Sequence, residues 1–251
     1  MADDKELAGR VALVTGAGRN IGRAIALALS DAGAAIAVNG RTNRAEIDAV
    51  SAEIQGRGGK AMAVLADVSD EAAVGRMIAA IAQKLGRLDI LVNNAAVRPE
   101  KPFESLSLSD WRDVHSVILD GAFLAAKAAL PLLKTSGSGA IVNIGGMSAH
   151  TGTKHRAHVV SAKSGLIGFT RALAHDLAEA GITANCVVPG LIDTVRAPGT
   201  KPPHHHQSSK TLAGRFGTPQ EIGAVVRFLV GPDARYITGQ SFHVNGGAYL
   251  G

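Results

Sequence analysis

The sequence has almost no cysteine. Cys186 is the single thiol among 251 residues, which excludes an internal disulfide framework and fits a reducing compartment. Aromatic residues are scarce, at 4%, so few platforms exist on which the bases of a single nucleic-acid strand could stack. Tyrosine is scarcer still: Tyr236 and Tyr249 are the only two, both in the last segment. Long uninterrupted apolar runs are also missing, because Asp, Asn, Gly or Arg breaks each one, and the stretch from Met1 to Arg10 lacks the apolar centre of a signal peptide. A soluble, cytoplasmic protein with no membrane partner is expected. The 26 Lys and Arg residues against 21 Asp and Glu give a net charge of +5, but the two signs are interspersed. That pattern suits a phosphate-bearing small molecule better than a nucleic acid.

What is present is a 46% apolar chain, long enough for one well-filled core, read as a single domain over residues 1–251. Apolar runs of strand length alternate with Ala-rich segments at helical spacing: Arg10–Thr15, Asn20–Ala32, Ala34–Val38, Arg44–Gln55, Ala61–Leu65, Glu71–Lys84 and Leu88–Val92. The alternation continues through Ser109–Leu133, Ala140–Ile144, Ala157–Ala180 and Thr183–Val188. This βαβα order predicts an α/β fold of three layers, a doubly wound, Rossmann-like parallel sheet with helices on both faces. Gly33, Gly86 and Gly181 each stand between a helix and the next strand, as left-handed helix caps would. Ala197–Ser209, rich in Pro, Gly and His, reads as a loop.

The first strand runs into Thr15-Gly16-Ala17-Gly18-Arg19-Asn20-Ile21-Gly22 and then an apolar helix. A strand, a glycine-rich turn and a helix N-terminus bring backbone N–H groups and the positive end of the helix dipole against a pyrophosphate. Asn20 sits within this turn, and asparagine tolerates the left-handed backbone better than most residues. The second strand ends in Asn39-Gly40-Arg41, with no carboxylate at its tip for the adenine-ribose hydroxyls. An arginine there can pair with a 2′-phosphate, so NADP(H) is favoured over NAD(H).

Thr15-Gly16 to Gly22, Asp67-Val68, Asn93-Asn94-Ala95-Ala96, Lys163 and Pro189-Gly190-Leu191-Ile192-Asp193-Thr194 occur in one order and at one set of spacings. In these the chain resembles the short-chain dehydrogenase/reductase family, particularly its 3-oxoacyl-carrier-protein-reductase-like branch, and the segments Gly214–Glu221, Ile237–Gln240 and Asn245–Gly247 extend the likeness towards the end of the chain. The resemblance implies a bound nicotinamide nucleotide. It also implies a homotetramer or homodimer, built partly on the two helices at 109–133 and 157–180. Cofactor contacts are implied for Gly16, Arg19, Asn20, Ile21, Gly22 and Arg41, for Asp67, Val68, Asn94, Ala95 and Ala96, and for Lys163, Pro189, Gly190, Ile192 and Thr194.

The family's catalytic set is incomplete here. By the resemblance, an asparagine, a serine, a tyrosine and a lysine run the reaction, and the first three positions hold Ile118, Gly146 and Val159. Only Lys163 remains, with an implied second role on the nicotinamide ribose. Hydride transfer to a carbonyl builds negative charge on oxygen. Losing the proton donor and one oxyanion donor costs on the order of 10²–10³-fold each. Ser148 is the nearest hydroxyl, and His158 adjoins Val159, although adjacent helical residues diverge by about 100°. His150 and His155 lie in the intervening loop and His204-His205-His206 in the later one, where consecutive histidines cannot all face one ion, so no metal site is expected. Lys154 and Arg156 could draw an acidic or phosphorylated small-molecule substrate. Two readings stay open: an NADP-dependent oxidoreductase of carbonyls or alcohols with a non-standard proton donor, or an inactive NADP(H)-binding or sensing subunit.

Overall fold

A computed structural model describes residues 5–195 and 211–251. The sequence-predicted loop at Ala197–Ser209, with its histidine triplet, lies outside the described residues. The sheet has seven strands in the order β3-β2-β1-β4-β5-β6-β7, every neighbouring pair parallel. The strands are β1 Val11–Val14, β2 Ala35–Gly40, β3 Ala61–Leu65, β4 Ile90–Asn93, β5 Ala140–Ile144, β6 Thr183–Pro189 and β7 Ser241–Val244. Chain direction along the sheet reverses between β1 and β4, which opens a crevice beyond the carboxyl ends of the strands.

The core follows from the period of two. Ala12 and Val14 of β1, Ile90 and Val92 of β4, and Val142 of β5 share one apolar layer with Ile25 and Leu29. Leu13, Leu91 and Ile141 point to the other layer, with Met77, Ile81, Ala125 and Ala129. Both faces are covered, which is why the strand segments read as near-continuous apolar runs. Helices α1 (Asn20–Asp31) and α2 (Arg44–Gly56) follow β1 and β2, and α3 (Glu71–Leu85) follows β3. The segment after β4 holds α4 (Leu108–His115) and α5 (Gly121–Thr135), and α6 (Ser148–Thr151) and α7 (Ala157–Asp176) follow β5. The last helix, α8 (Pro219–Val230), precedes β7.

Local chemistry sets the helix ends. Asp70 caps α3 by accepting from the Ala73 amide at 3.0 Å, and Gly86 closes it at φ 78°. Thr218 and Glu221 form a reciprocal capping box on α8, with Pro219 in the first turn. Gly33 and Gly181 likewise take positive φ, as their places between helix and strand require. Helix α1 is different: Arg19 precedes it without a side-chain cap, and its first turn carries no acid. Its leading N–H groups therefore have no side-chain cap.

Two expectations are corrected. The helix read as continuous over 109–133 is interrupted by a π-turn, Ser116–Asp120, centred on Ile118. The run Leu108–Thr135 is also long and apolar enough by composition to cross a bilayer, contrary to the reading that every apolar stretch is too short. Its inward face is nevertheless committed to protein, with Ala125, Ala129 and Leu133 fully buried in the layer under the sheet.

Candidate active site

The crevice at the sheet reversal is an open cleft of about 1250 Å³. Its first wall is the turn after β1. Gly16 takes φ 62°, and a Cβ there would sit 3.0 Å from Ala95 Cα. Gly22 is more constrained still, since its Cβ would fall 2.3 Å from the Gly16 carbonyl oxygen and 2.6 Å from Asn94 Nδ2. Asn94 holds the turn to β4: its side-chain amide donates to the carbonyls of Thr15 and Gly16, both at 2.9 Å. Thr15 Oγ1 accepts from the amides of Asn94 and Ala95 at 3.0 and 3.1 Å. Asn20 does adopt the left-handed backbone, at φ 50°. Its side chain clamps the loop beyond β6, donating to the Val195 carbonyl at 3.0 Å and accepting the Val195 amide at 2.9 Å.

At the far end, Asn39 is buried and acts as a strut. Its Oδ1 accepts the Gly16 amide at 3.3 Å, and its Nδ2 donates to the Ala66 carbonyl at 3.1 Å. The groups left at the rim are Arg19, Arg41 and one acid that sequence reasoning missed, Glu46. A Cβ on Gly18 would lie 3.0 Å from Glu46 Oε2, so this carboxylate closes on the glycine turn itself. Asp67 is fixed by Ser69, whose hydroxyl and amide donate to it at 2.6 and 3.0 Å. Burial works against its charged form, but these bonds and the Arg41 charge hold the carboxyl below its ordinary value.

The other end of the cleft is built by β5, α6 and α7. Lys163 lies one helical turn after Val159, is buried, and donates from Nζ to the Ile144 carbonyl. Burial foremost, then the Arg98 charge, pushes its pKa down to about 7, against a smaller upward pull from Cys186. Cys186 itself is pushed up to about 11 by burial, which makes it an inert thiol. Val159 and Ile118 belong to one apolar cluster with Val114, Ala122, Ala162 and Leu166. Gly146 is open: a Cβ built on it meets only Ser148 Oγ, at 4.0 Å. The hydroxyl of Ser148 therefore stands beside Gly146, the position expected from the resemblance to carry a serine.

All of the residues expected to hold a cofactor line this one cleft, from Gly16, Arg19, Asn20, Ile21 and Gly22 through Arg41, Asp67 and Val68. Asn94, Ala95 and Ala96 follow, then Lys163, Pro189, Gly190, Ile192 and Thr194. Ser148 lines it too. His158 does not: it is fully buried, and the charged groups acting on it are Asp110, His115, Arg156 and Lys101. Neither of its ring nitrogens has a hydrogen-bond partner among the described residues, and burial, the largest influence, holds its pKa low. The one-residue offset from Val159 is the physical reason it faces α4 instead of the cleft. His150 meets His243 edge-on and Tyr249 at a tilt, at ring separations of 4.5 and 5.4 Å, outside the cleft lining. Among the described residues no group of three or more His, Cys, Asp or Glu could hold a metal. Of the two basic residues expected near the substrate, Lys154 is exposed at the cleft, whereas Arg156 is buried and paired with Glu100 at 3.1 Å.

A family model described as enoyl-(acyl carrier protein) reductase matches residues 16–249. The chain is 40% identical over 245 residues to the 3-oxoacyl-[acyl-carrier-protein] reductase of Synechocystis sp., covering 97% of this chain and 98% of that one. Its fold is similar to that of a dehydrogenase/reductase from Sinorhizobium meliloti 1021, with TM-score 0.93, 35% identity and 98% of each chain covered. A short chain dehydrogenase from Burkholderia cenocepacia J2315, solved in complex with NADP, aligns with TM-score 0.90 and 34% identity over 97% of this chain and 99% of that one.

Proposed function

We propose, for a chain that belongs to the short-chain dehydrogenase/reductase family, an NADP(H)-dependent oxidoreductase that interconverts a carbonyl and an alcohol through a proton donor other than tyrosine. The observation that carries this reading is the continuity of the cleft. The uncapped N-terminus of α1 and the buried Lys163 stand on the wall of one crevice, which no purely structural role requires.

The fit to a nicotinamide dinucleotide is physical. Gly16 and Gly22 leave no room for side chains where backbone must approach a pyrophosphate, and the free N–H groups of α1 supply its donors. Arg19 and Arg41 offer cations to a 2′-phosphate, against the opposing charge of Glu46. Asp67, Val68, Asn94, Ala95 and Ala96 form the middle of the wall. Lys163 holds the nicotinamide ribose, with Pro189, Gly190, Ile192 and Thr194 beyond it. Once bound, the cofactor supplies or accepts the hydride. The chain's own part is to orient the carbonyl, keep water off it with the apolar Val159 on the cleft wall, and stabilise the charge that grows on oxygen. Ser148 is placed to donate a hydrogen bond there, and Arg98 and Lys154 make this end attractive to an acidic or phosphorylated small molecule. The apolar outer face of α5, with Phe123 exposed and edge-on to Phe169 of α7 at 6.5 Å, fits a homodimer or homotetramer. The lone buried Cys186 fits the cytoplasm.

A second reading, an NADP(H)-binding subunit without turnover, is favoured by one observation. The tyrosine and asparagine positions are filled by well-packed apolar side chains that leave no partial polar site behind. Fluorescence titration with NADPH and NADH, followed by a panel of ketones, aldehydes and 3-oxoacyl thioesters, separates the two. Turnover of any member establishes the enzyme; tight NADPH binding with no turnover across the panel establishes the binding subunit.

A further inference from the structure

We propose that Lys163 is itself the proton donor, delivering an ammonium proton to the substrate oxygen from the cleft wall beside Val159 and Gly146. The inference rests on the oxidoreductase reading above. It starts from which groups in the cleft can exchange a proton at all. The described titratable residues lining it are Arg19, Arg41, Glu46, Asp67, Arg98, Lys154, Arg156 and Lys163. No histidine is among them. Both tyrosines are elsewhere, Tyr236 fully exposed and Tyr249 against His150 and His243. Arginine does not release its proton in proteins, and Ser148 can donate a hydrogen bond but does not titrate near neutral pH. Arg19 belongs to the glycine turn, Glu46 to α2 where it lies against Gly18, and Arg41 and Asp67 follow β2 and β3, away from β5 and α7. Among the described residues two lysines remain at this end of the cleft, and Lys154 is exposed.

The surroundings of Lys163 suit the task. Its side chain is 5% exposed, and one of its three protons is committed to the Ile144 carbonyl, leaving two to point elsewhere. It follows Val159 by four residues, so both occupy one face of α7. On the β5 side the cleft wall is open at Gly146, where an added Cβ would meet only Ser148 Oγ. The charged and titratable groups acting on it are Arg98, from the segment after β4, and the Cys186 thiol on β6; no carboxylate is among them. Burial foremost, with Arg98 adding to it, brings the Lys163 pKa to about 7, where an ammonium is acidic enough to give up its proton and basic enough to regain it. Arg98 is thereby a positioning residue that adds to the effect of burial on the donor.

The step balances. The hydride from NADPH bonds to the carbonyl carbon, the C=O π pair moves to oxygen, and that oxygen takes a proton from the Lys163 ammonium. The products are the alcohol, NADP⁺ and a neutral Lys163 amine, which is reprotonated by water through the open cleft.

The test combines two readouts, one independent of turnover. In protein labelled with ¹⁵N-lysine, the Lys163 signal, assigned by its loss in Lys163→Arg, should titrate near pH 7, and Arg98→Gln should move that midpoint upwards. In carbonyl reduction with NADPH, kcat/KM should fall above the same pH and the inflection should move upwards with Arg98→Gln. Lys163→Arg, which keeps the charge but cannot release a proton, should lose at least about 100-fold in kcat at saturating NADPH. A Lys163 that titrates above pH 9 in a protein that does reduce carbonyls overturns the donor role alone, as does a kcat/KM profile indifferent to Arg98→Gln. Absence of turnover across the whole substrate panel overturns the oxidoreductase reading, and the donor role falls with it.

Discussion

Val159 packs with Ile118 in one buried apolar cluster, each 2% exposed, at the two positions that the resemblance assigns to a tyrosine and an asparagine. The two replacements are therefore physically coupled. A polar group at either site alone would face hydrocarbon at the other. Ile118→Asn as a single change should destabilise the fold by about 2–4 kcal/mol, through a lost apolar side chain and an amide buried without partners. Denaturant midpoints would measure it. Gly146→Ser should cost almost nothing, because only Ser148 Oγ lies within 4.0 Å of the new Cβ. Combined with Val159→Tyr, the triple variant should recover part of the stability lost by Ile118→Asn and gain carbonyl reduction; a triple variant no more stable than the single one would show that the two positions are not coupled.

The glycine turn offers a sharper contrast. Gly22→Ala drives a methyl to 2.3 Å from the Gly16 carbonyl and against the Asn94 amide that pins the turn to β4. Neither neighbour is free to move, so NADPH affinity should fall by more than about 100-fold, the equivalent of roughly 3 kcal/mol. Gly146→Ala, at a backbone that needs no positive φ, should leave affinity unchanged. Titration of cofactor fluorescence against both variants checks the difference.

Cofactor choice rests on opposing charges at the rim. Arg41→Ala should weaken NADPH by about 10–100-fold, the range of a charge-assisted hydrogen bond of roughly 1.5–3 kcal/mol, and change NADH affinity little. Glu46→Gln should act the other way and strengthen NADPH, because it removes the one carboxylate set against Gly18. If Glu46→Gln instead weakens NADH and leaves NADPH alone, the carboxylate serves the ribose hydroxyls and the preference is reversed.

These features were unequally visible in the sequence. Strands β3 and β5 begin and end at the residues the alternation indicates, because apolar period and flanking glycines agree there. The strand predicted at Leu88 starts two residues later, after the buried Asp89, whose carboxylate accepts the Val11 amide at 2.8 Å; a side chain spent on such a tie does not register as a strand break. The π-turn around Ile118 was invisible, since apolar spacing records which face is buried and not which carbonyl each amide reaches. In the site, the glycine turn was legible because its contacts are local. Arg98 was not, since its effect on Lys163 depends on two distant segments meeting across the cleft. Nor was Glu46, which helix α2 carries back over Gly18.

Asn20 tests whether a strained residue is retained for its contacts. At φ 50°, Asn20→Ala should cost about 1–2 kcal/mol of backbone strain and release both bonds to Val195. Asn20→Gly removes the strain but also the clamp. The alanine variant should therefore be the less stable, while both should show faster hydrogen exchange at the Val195 amide. Protection of that amide equal to the parent's in the glycine variant would mean that the clamp does not order the loop.

Stability should also vary with pH in a window set by Lys163 and Cys186. The folded lysine has a pKa of about 7 against an ordinary 10.5, so between those values the unfolded chain binds the extra proton. Stability from this source therefore rises with pH above 7, because the cost of burying the ammonium disappears as the folded amine becomes neutral. Cys186 acts in the opposite sense. Its folded pKa of about 11 lies above the ordinary 9.0, so above pH 9 the folded protein holds the extra proton and stability falls. The two contributions should leave a rising limb between pH 7 and 9 that is opposed beyond it. Lys163→Met should flatten the rising limb and Cys186→Ala the falling one, as read from urea midpoints at pH 7, 8, 9 and 10. A rising limb that survives Lys163→Met would place the proton uptake on another group and remove the linkage between this lysine's burial and its acidity.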